Sequence, residues 1–149
     1  MDRRERVEMR IYSAGGMEFV SEKDVLGWRE EVEEQCSAAG IECLHPTRRK
    51  PLHDQLEDTL PSYNKLKRIT TQDLIDIKSC DLILADLRDS SPGRKWGTCM
   101  EVALASEWNI PVIVIVDEDQ FKHPFIYTFA TEVHYTLQDA IDAVIDYTN

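Results

Sequence analysis

The chain has 149 residues, 42% of them hydrophobic and 30% charged, and a formal net charge of −11. This length and composition fit one soluble globular domain, and the acidic balance argues against binding to a nucleic-acid polymer, which needs a basic face. No stretch approaches the ~18 apolar residues of a membrane span. The four cysteines include no Cys-x-x-Cys pair, so we expect a cytoplasmic protein without a metal site.

The first half of the chain alternates strand and helix patterns. Residues 7–13 are rich in strand-forming residues and run into Gly15 and Gly16, which is typical of a strand that ends in an open loop. Apolar residues at helical spacing then continue to Gly40, where the helix is expected to stop. We therefore expect a strand, a helix, a strand and a long polar loop, in this order, at residues 7–13, 21–40, 41–44 and 45–66.

The second half continues the alternation. Thr70 or Thr71 is expected to cap the next helix, whose apolar face would carry Leu74, Ile75 and Ile77. Two apolar runs without polar alternation are typical of strands that are covered on both faces. We expect these two strands at 81–87 and 110–116, helices that open at 97, 124 and 136, and a last strand at 132–134.

Strands that alternate with helices predict an α/β fold, with a parallel five-stranded sheet and helices on both of its faces. We interpret residues 1–149 as a single domain of this kind. In open parallel sheets, ligands bind beyond the carboxyl ends of the strands, where the strand order reverses. This rule directs attention to the residues that follow the first, third and fourth strands, at 12–16, 86–101 and 117–119.

Two carboxylates in this part of the fold are candidates for catalysis. Glu101 falls in the first turn or so of the helix after the third strand, where the helix dipole favours negative charge by ~0.3–1 kcal/mol. Asp73 lies early in the preceding helix and could face the same edge of the sheet. A nucleophilic carboxylate and a proton carrier are what cleavage of a glycosidic bond needs. Position alone leaves the question open, because each residue could also merely complement a helix end.

Other polar residues point to a ligand less specifically. Gly15 and Gly16 lack the full dinucleotide-binding pattern, so they either form a turn or let a sugar approach the backbone. The basic islands at 48–50 and 94–95 could bind a phosphate or could be solvated loop charges. The four histidines have no spacing typical of metal ligands; they are His45, His53, His123 and His134.

Over nearly its whole length the chain resembles the nucleoside 2-deoxyribosyltransferases and their relatives, the nucleotide N-glycosidases. The resemblance rests on the segment IYSAGG at 11–16, on Asp73, on CDLILADL at 80–87 and on GTCMEVALA at 97–105, followed by Pro111 and Val112. The Gly-Thr-x-x-Glu stretch is its most specific part. These segments, in this order and spacing, identify the family better than they identify the substrate.

The resemblance implies a flavodoxin-like fold, a homo-oligomer, and a reaction that needs no cofactor. It implies that Glu101 attacks the sugar and forms a covalent intermediate, that Asp73 protonates the leaving base, and that Tyr12 orients the nucleophile. A second base or water then attacks the intermediate, so the partners are a small nucleoside or nucleotide and a free base. We expect substrate contacts from Ser13, Gly15, Gly16, Asp86, Lys95, Gly97 and Thr98.

Two positions depart from the pattern of the transferases. Lys95 stands where they often carry an aspartate that holds the sugar 5′-hydroxyl, and Ile126 stands where many have an asparagine that reaches the neighbouring subunit's site. A lysine cannot accept a hydrogen bond from a hydroxyl, but it can pair with a phosphate. A shift of register in the loop at 90–94 would instead give the missing role to Asp86 or Asp89.

Three hypotheses follow. The first is a 2-deoxyribosyltransferase, the second a nucleoside 5′-monophosphate N-glycosidase, and the third a nucleotide-binding sensor without turnover. The set of Tyr12, Asp73 and Glu101 argues against the sensor, because a protein that only binds has no need of a nucleophile. Addition of an acceptor base separates the first two hypotheses, since transfer gives a new nucleoside and hydrolysis does not.

Overall fold

The computed structural model describes residues 9–16, 22–45 and 58–148. Within these ranges five strands alternate with five α-helices, as the sequence predicts, and a short 3-10 helix at Glu118–Gln120 precedes the fourth α-helix. The elements are β1 Met9–Gly15, α1 Glu22–Ala38, β2 Ile41–Leu44, α2 Leu60–Lys78, β3 Leu82–Asp86, α3 Trp96–Glu107, β4 Val112–Ile115, α4 Pro124–Phe129, β5 Glu132–His134 and α5 Leu137–Asp146.

The strands form one sheet in the order β2-β1-β3-β4-β5, and every neighbouring pair is parallel. The predicted parallel α/β fold with five strands is therefore confirmed. The order reverses between β1 and β3, which places the topological switch point at the carboxyl ends of these two strands. There Gly15 of β1 lies opposite Asp86 of β3.

Two apolar layers cover the two faces of the sheet. Helices α1 and α5 pack on one face, through Val32 and Ile141 among others, while α2 and α3 pack on the other, through Ile77 and Val102. All the residues of β3 and β4 are buried. Strands with both faces covered need apolar residues at successive positions, which explains their unbroken apolar sequences. Among the described residues, no helix is both long and apolar enough to cross a bilayer.

The predicted start of the second helix is wrong. Helix α2 begins at Leu60 and is capped by Thr59, whose hydroxyl accepts a hydrogen bond from the amide of Ser62 at 3.2 Å. Thr70 and Thr71 lie inside the helix and donate to a carbonyl of the preceding turn. Pro61 was taken as a loop residue, but proline is favoured in the first turn of a helix, because the amide that it lacks has no partner there.

The longer helix also corrects the positions of two other residues. Asp73 lies in the carboxyl-terminal third of α2 rather than near its start. Ile75, expected on the apolar face, is exposed over 54% of its surface, and Asp73, Asp76 and Ile77 are the buried residues instead. A helix of 19 residues is about 28 Å long, whereas a strand as short as β3 spans about 17 Å. The helix therefore extends past the sheet edge, and a residue beyond its middle can still reach the switch point.

Several other predicted boundaries agree with the structure. Gly40 ends α1 with a φ of 79°, a conformation that glycine adopts without strain. Thr136 caps α5 through a hydrogen bond from the amide of Asp139 at 3.1 Å. The predicted opening of α1 at Ser21 lies outside the described residues.

Candidate active site

The candidate active site lies where β1 and β3 end side by side. Tyr12 belongs to β1, Glu101 to α3 and Asp73 to α2, and both helices pack on the same face of the sheet as the Tyr12 ring. The three residues that the sequence analysis assigned to catalysis therefore come together on this face of the sheet, with Tyr12 in the middle of β1, opposite Ile83 of β3. They are far apart in the sequence and come together because α2 and α3 pack against β1.

Tyr12 is fully buried, and its phenolic oxygen has no contact with solvent. Burial raises the pKa of the phenol far above its ordinary value, and the negative charges of Glu101 and Asp73 together with hydrogen bonding to Glu101 raise it further. The phenolic oxygen is within reach of the Glu101 carboxylate, but their geometry falls short of a well-formed hydrogen bond. The phenol therefore keeps its proton, which it can donate to the carboxylate.

Glu101 is the sixth residue of α3 and lies in its second turn, slightly beyond the first turn or so that the sequence predicted. Thr98, Val102 and Ala105 on the same side of the helix are buried against the sheet, and Glu101 is half-buried beside them. Its Oε2 atom is shielded from solvent. Since the influence of a helix dipole falls off within the first turn, neighbouring side chains matter more to this carboxylate than the helix end does.

Asp73 is 8% exposed, a low value for a carboxylate. Its charge acts on the Tyr12 phenol, so the two side chains face the same space. Carboxylates are rarely buried to this extent unless they have a partner or a function. Because it lies beside Tyr12, Asp73 can carry a proton to or from a ligand held at the ends of β1 and β3.

Arg29 of α1 is a site residue that the sequence analysis missed. It is 1% exposed, its Nη2 atom donates a hydrogen bond to the carbonyl of Gly15 at 3.0 Å, and its guanidinium stacks on the Trp28 ring at 4.6 Å. Burial lowers its pKa to about 10, while Tyr12, Glu101 and further acidic groups act in the opposite direction.

A sequence signal for Arg29 was present. The residue is spaced three and seven positions before Val32 and Cys36, and so lies on the buried face of α1 with them. A charged residue on an apolar helix face is a better indication of function than a charge on a solvated face.

The two glycines after β1 make room for other parts of the protein. A Cβ atom at Gly15 would lie 2.6 Å from Cζ2 of Trp28, and one at Gly16 would lie 2.9 Å from the carbonyl oxygen of Arg94. Both glycines are therefore required by close packing within the chain, one against α1 and the other against the loop before α3. A Cβ at Gly97 would meet no atom of the described residues within 4 Å, so packing among these residues does not require a glycine there.

The expected substrate contacts Asp86 and Lys95 are both engaged within the protein. Asp86 is 1% exposed, and its two oxygens accept from Nε and Nη2 of Arg88 at 2.9 and 3.0 Å. Lys95 donates from Nζ to three carbonyl oxygens, those of Ser91, Pro92 and Gly93, at 3.0, 2.9 and 2.8 Å. An ammonium group has three donors, so the donors of Lys95 are all used to hold this loop.

Ser13 and Thr98, the remaining expected substrate contacts, are buried next to the site. Ser13 is 1% exposed and its hydroxyl donates to the carbonyl of Leu44 across a long 3.5 Å, while Thr98 is 2% exposed on the inner face of α3. Direct contact of either residue with substrate stays a prediction.

Hydrogen bonds join the loop after β3 to the loop after β4. Asp117 accepts from the amide and the hydroxyl of Ser90 at 2.9 and 2.6 Å. Gln120 donates to the carbonyl of Leu87 at 3.0 Å, and its side-chain oxygen accepts from the amides of Asp89 and Asp117. These bonds fix the segment that leads from β3 to the helix of Glu101.

An open pocket of about 860 Å³ lies between α3 and α4, lined by Trp96, Met100, Phe125 and Phe129 among others. The residues that line this pocket include neither Glu101 nor Tyr12. Residues 17–21 and 46–57 lie outside the described residues. Most of the polar loop predicted at 45–66, with the basic island at 48–50, therefore lies outside them too. In the described ranges, no group of three metal-ligating side chains could hold a metal ion.

A family model described as nucleoside 2-deoxyribosyltransferase matches residues 11–140. Solved structures with the same fold include a 2-deoxyribosyltransferase of Bacillus psychrosaccharolyticus, at 18% identity and a TM-score of 0.65 over 91% of this chain and 95% of that one. A conserved protein from Enterococcus faecalis has 16% identity and a TM-score of 0.66 over 93% and 98% of the two chains. The CMP N-glycosidase BcmB of Clostridium botulinum has 15% identity and a TM-score of 0.58, again over 93% and 98%. A comparison with curated proteins finds no match.

Proposed function

Since this chain belongs to the nucleoside 2-deoxyribosyltransferase family, we propose that it cleaves the N-glycosidic bond of a deoxynucleoside and transfers the sugar to another base. The observation that carries the proposal is that Asp73 and Glu101, which come from two different helices, both act on the buried phenol of Tyr12 in β1. Two carboxylates and a protonated phenol on one face of the sheet are the groups that such a transfer uses.

In the first step, a Glu101 oxygen forms a bond to the anomeric carbon while the bond from this carbon to the base breaks. The electron pair of the broken bond leaves with the base, which takes a proton from Asp73. In the second step, a nitrogen of the incoming base attacks the same carbon, Glu101 leaves as a carboxylate, and Asp73 takes the proton that the incoming base loses. Two displacements at one carbon give retention of configuration.

The Tyr12 phenol orients the nucleophile in this scheme. Because its pKa is raised by burial and by the two neighbouring carboxylates, it remains a hydrogen-bond donor throughout the working pH range. Donation to one Glu101 oxygen leaves the other oxygen directed at the sugar. In this role the phenol holds the Glu101 side chain in one rotamer and takes no proton from the substrate.

Nucleosides are favoured over 5′-monophosphates as substrates by the contacts of Lys95. The three loop carbonyls that accept from its ammonium would have to release it before it could pair with a phosphate. Arg88, at the start of this loop, is engaged with Asp86 through two hydrogen bonds, and the guanidinium of Arg94 lies over the Trp96 ring at 5.9 Å. We therefore place the 5′ end of the sugar against neutral groups of this loop. We further propose that the protein is a cytoplasmic enzyme of nucleoside salvage.

Product analysis tests this function. The protein is incubated with deoxynucleosides, ribonucleosides and their 5′-monophosphates, with and without excess free adenine or cytosine, and products are separated by chromatography. New deoxynucleosides that form only with added base would support transfer. Release of base from monophosphates without exchange would instead establish a nucleotide hydrolase, and tight binding without any product would establish a sensor.

Substitution of the two carboxylates tests their roles. Glu101→Gln should reduce turnover about a thousandfold or more, because the amide is no nucleophile, while Asp73→Asn should reduce it by about 10²–10⁴. Glu107→Gln, at the far end of the same helix and exposed, is the matched control and should keep normal turnover. Normal turnover in Glu101→Gln would remove this residue from the mechanism.

The exposed face of α3 and α4 supports assembly into a homo-oligomer. Trp96, Met100 and Phe125 are exposed over 72%, 65% and 66% of their surfaces, and they border one apolar pocket. A contiguous apolar patch of this kind marks a surface for protein contact. Analytical ultracentrifugation of the wild type and of Met100→Glu checks this, since the variant should dissociate to monomers. A monomeric wild type would contradict it.

A further inference from the structure

Gln120 joins two loops at the carboxyl edge of the sheet, although the proposed mechanism gives it no role. It is the last residue of the 3-10 helix after β4 and is half-buried. Its Nε2 atom donates to the carbonyl of Leu87 at 3.0 Å, and its Oε1 atom accepts from the amides of Asp89 and Asp117 at 3.2 and 2.8 Å. The side chain therefore binds the backbone of the loop after β3 as well as the backbone of its own loop.

The three partners of Gln120 require a side chain that both donates and accepts at neutral pH. One partner is a carbonyl oxygen, which needs a donor, and the other two are backbone amides, which need an acceptor. A side-chain amide offers both, whereas a glutamate carboxylate of nearly the same shape only accepts. Glutamine at this position therefore fits the backbone groups that it meets, and a single-atom change in its side chain removes one of the bonds.

Further hydrogen bonds extend this attachment along the loop after β3. Ser90 donates to the Asp117 carboxylate from its amide at 2.9 Å and from its hydroxyl at 2.6 Å. Lys95 closes the second half of the loop by donating to the three carbonyls at 91–93. Gln120 and Asp117 thus hold the first half of the loop to the loop after β4, and the position of the second half follows from this attachment.

The loop borders the space at the end of β1. A Cβ atom at Gly16, the residue after β1, would lie 2.9 Å from the carbonyl oxygen of Arg94, so the two backbones are in contact there. In open parallel sheets, ligands bind beyond the strand ends where the strand order reverses, which here is between β1 and β3. The loop that Gln120 holds is therefore one side of the space that this fold offers to a ligand.

We propose that Gln120 is a positioning residue that holds this loop in the conformation that the sugar of the substrate contacts. The inference rests on the proposed function, which places the 5′ end of the sugar against this loop. The position of Glu101 has separate support, because α3 packs on the sheet through Val102 and Ala105.

This arrangement predicts that Gln120 acts on substrate binding and not on the chemical step. A released loop occupies the binding conformation only part of the time, so the apparent Kd rises by the inverse of that fraction. Once the substrate is bound, the loop is in place and Glu101 reacts as before. Loss of the Gln120 bonds should therefore raise KM and leave kcat nearly unchanged.

Four variants separate this role from a general effect on stability. Gln120→Met keeps the length of the side chain and loses all three hydrogen bonds, while Gln120→Glu keeps an acceptor for the two amides and loses the donor to Leu87. Glu118→Gln, an exposed position in the same 3-10 helix, is the matched control. Thr136→Ala removes the cap of α5, which packs on the opposite face of the sheet, and is the control for lower stability alone.

The first measurement is binding of 2′-deoxyadenosine, 2′-deoxycytidine and free adenine by titration calorimetry, with Glu101→Gln added to every protein so that no nucleoside is consumed. We expect Gln120→Met to raise the Kd of both deoxynucleosides about tenfold, as for the loss of about one net hydrogen bond. The Kd of free adenine, which has no sugar, should change by less than about twofold. Gln120→Glu should give an intermediate rise, and both controls should give none.

Two further measurements connect this result to the loop and to the reaction. Exchange of the Asp89 amide proton with water, followed by NMR, should be faster in Gln120→Met and nearly normal in Gln120→Glu, which still accepts from this amide. Steady-state kinetics with Glu101 intact should show a raised KM and a kcat changed by less than about twofold in Gln120→Met. A purely structural role would lower kcat through loss of folded enzyme and leave KM unchanged.

An unchanged Kd for both deoxynucleosides in a folded Gln120→Met would overturn the inference, and so would an equal rise for the deoxynucleosides and free adenine. A rise of the same size in Thr136→Ala would show that stability alone is responsible, and the inference would fail. If Gln120→Met does not fold, the Kd values of Gln120→Glu decide by the same criteria. Failure of both variants to fold would assign Gln120 to the fold alone.

Failure of the inference and failure of the proposed function are distinguishable. Binding of the deoxynucleosides without any cleavage by the wild type would overturn the proposed function, while the Kd values would still decide whether Gln120 acts on the sugar. Absence of binding of either deoxynucleoside to the protein with Gln120 intact would overturn the inference.

Discussion

The phenol of Tyr12 lies beside the carboxylate of Glu101, and Tyr12 is buried so completely that it keeps its proton. One residue comes from a strand and the other from a helix that follows a different strand. Their contact exists because α3 packs on the sheet beside β1. Because Tyr12 keeps its proton, it can donate a hydrogen bond to the Glu101 carboxylate but cannot act as a base.

Tyr12→Phe tests this relationship. Removal of the hydroxyl should lower kcat about tenfold or more and leave KM nearly unchanged, since the nucleophile loses its orientation while substrate binding is retained. The stability should not fall, because the buried hydroxyl makes no well-formed hydrogen bond among the described residues and replacement by hydrogen leaves the packing intact. Steady-state kinetics together with the midpoint of thermal unfolding measure both effects. A fall in Tm with unchanged kcat would contradict the assignment.

Because the pKa of Tyr12 is raised in the folded protein, the stability of the protein depends on pH, and the direction of the shift fixes the sign of this dependence. The unfolded phenol loses its proton near pH 10, as free tyrosine does, whereas the folded one still holds it. The folded state then binds more protons than the unfolded state, so its stability falls as the pH rises above about 10. Tyr12→Phe should abolish this part of the fall, which urea unfolding at pH 9 and pH 11 would measure.

Much of the fold was predictable from the sequence. The apolar runs of β3 and β4 are long enough to identify buried strands, and Gly40 and Thr136 mark helix ends by mechanisms that depend on local residues alone. The start of α2 was not found, because Pro61 is compatible both with a loop and with the first turn of a helix. Only the cap at Thr59 decides between them.

The residues of the candidate site were predictable from the sequence, but the contacts that they make were not. Position relative to strand ends, together with the family resemblance, indicated Tyr12, Asp73 and Glu101. The engagement of Lys95 with the carbonyls of its own loop depends on how that loop turns back, which no local pattern specifies. Arg29 was not predictable from position relative to strand ends, because it reaches the end of β1 from the middle of a helix.

Lys95 offers a direct test of the substrate class. Lys95→Met should impair turnover of nucleosides and of 5′-monophosphates by similar factors, because the lysine holds the loop at 91–93 rather than a phosphate. The unfolding free energy should fall by about 1–3 kcal/mol, since the loop carbonyls lose hydrogen bonds from a charged donor. Kinetics with paired nucleoside and monophosphate substrates measure the ratio. A loss at least tenfold greater for monophosphates would restore Lys95 as a phosphate ligand.

Gly16→Ala should destabilise the protein by about 1–3 kcal/mol, a typical effect of overpacking. The new Cβ would lie 2.9 to 3.1 Å from backbone atoms of Gly93 and Arg94, which cannot move as freely as a side chain. Gly27→Ala in α1 is the matched control, because a Cβ there meets no atom of the described residues within 4 Å. This variant should gain about 0.5–1 kcal/mol from helix propensity. Urea unfolding of both variants decides the point, and equal stabilities would refute the close approach.

Gly97→Ala separates a need of the fold from a need of the ligand. Nothing in the described residues lies within 4 Å of a Cβ at this position, and its φ is negative. The substitution should therefore leave thermal stability unchanged or raise it slightly. If the sugar approaches the backbone here, kcat/KM should nevertheless fall tenfold or more, and unchanged kinetics would remove Gly97 from the substrate contacts.

Ser90 and Asp117 should couple the stability of the site loops to pH. The Ser90 hydroxyl, followed by its amide, lowers the pKa of the Asp117 carboxyl. A depressed folded pKa gives stability that is fully present above the unfolded value of about 3.9 and is lost as the pH falls through the lower folded value.

Ser90→Ala should therefore lower the urea midpoint at pH 7, and the difference from wild type should shrink as the pH is lowered from 5 towards 3. Asp117→Asn should show a similar loss at pH 7, and its own stability should lack the part of the fall below pH 5 that protonation of Asp117 causes in the wild type. A difference between wild type and Ser90→Ala that stays constant from pH 7 to pH 3 would mean that the hydroxyl stabilises the loop without acting on the Asp117 charge.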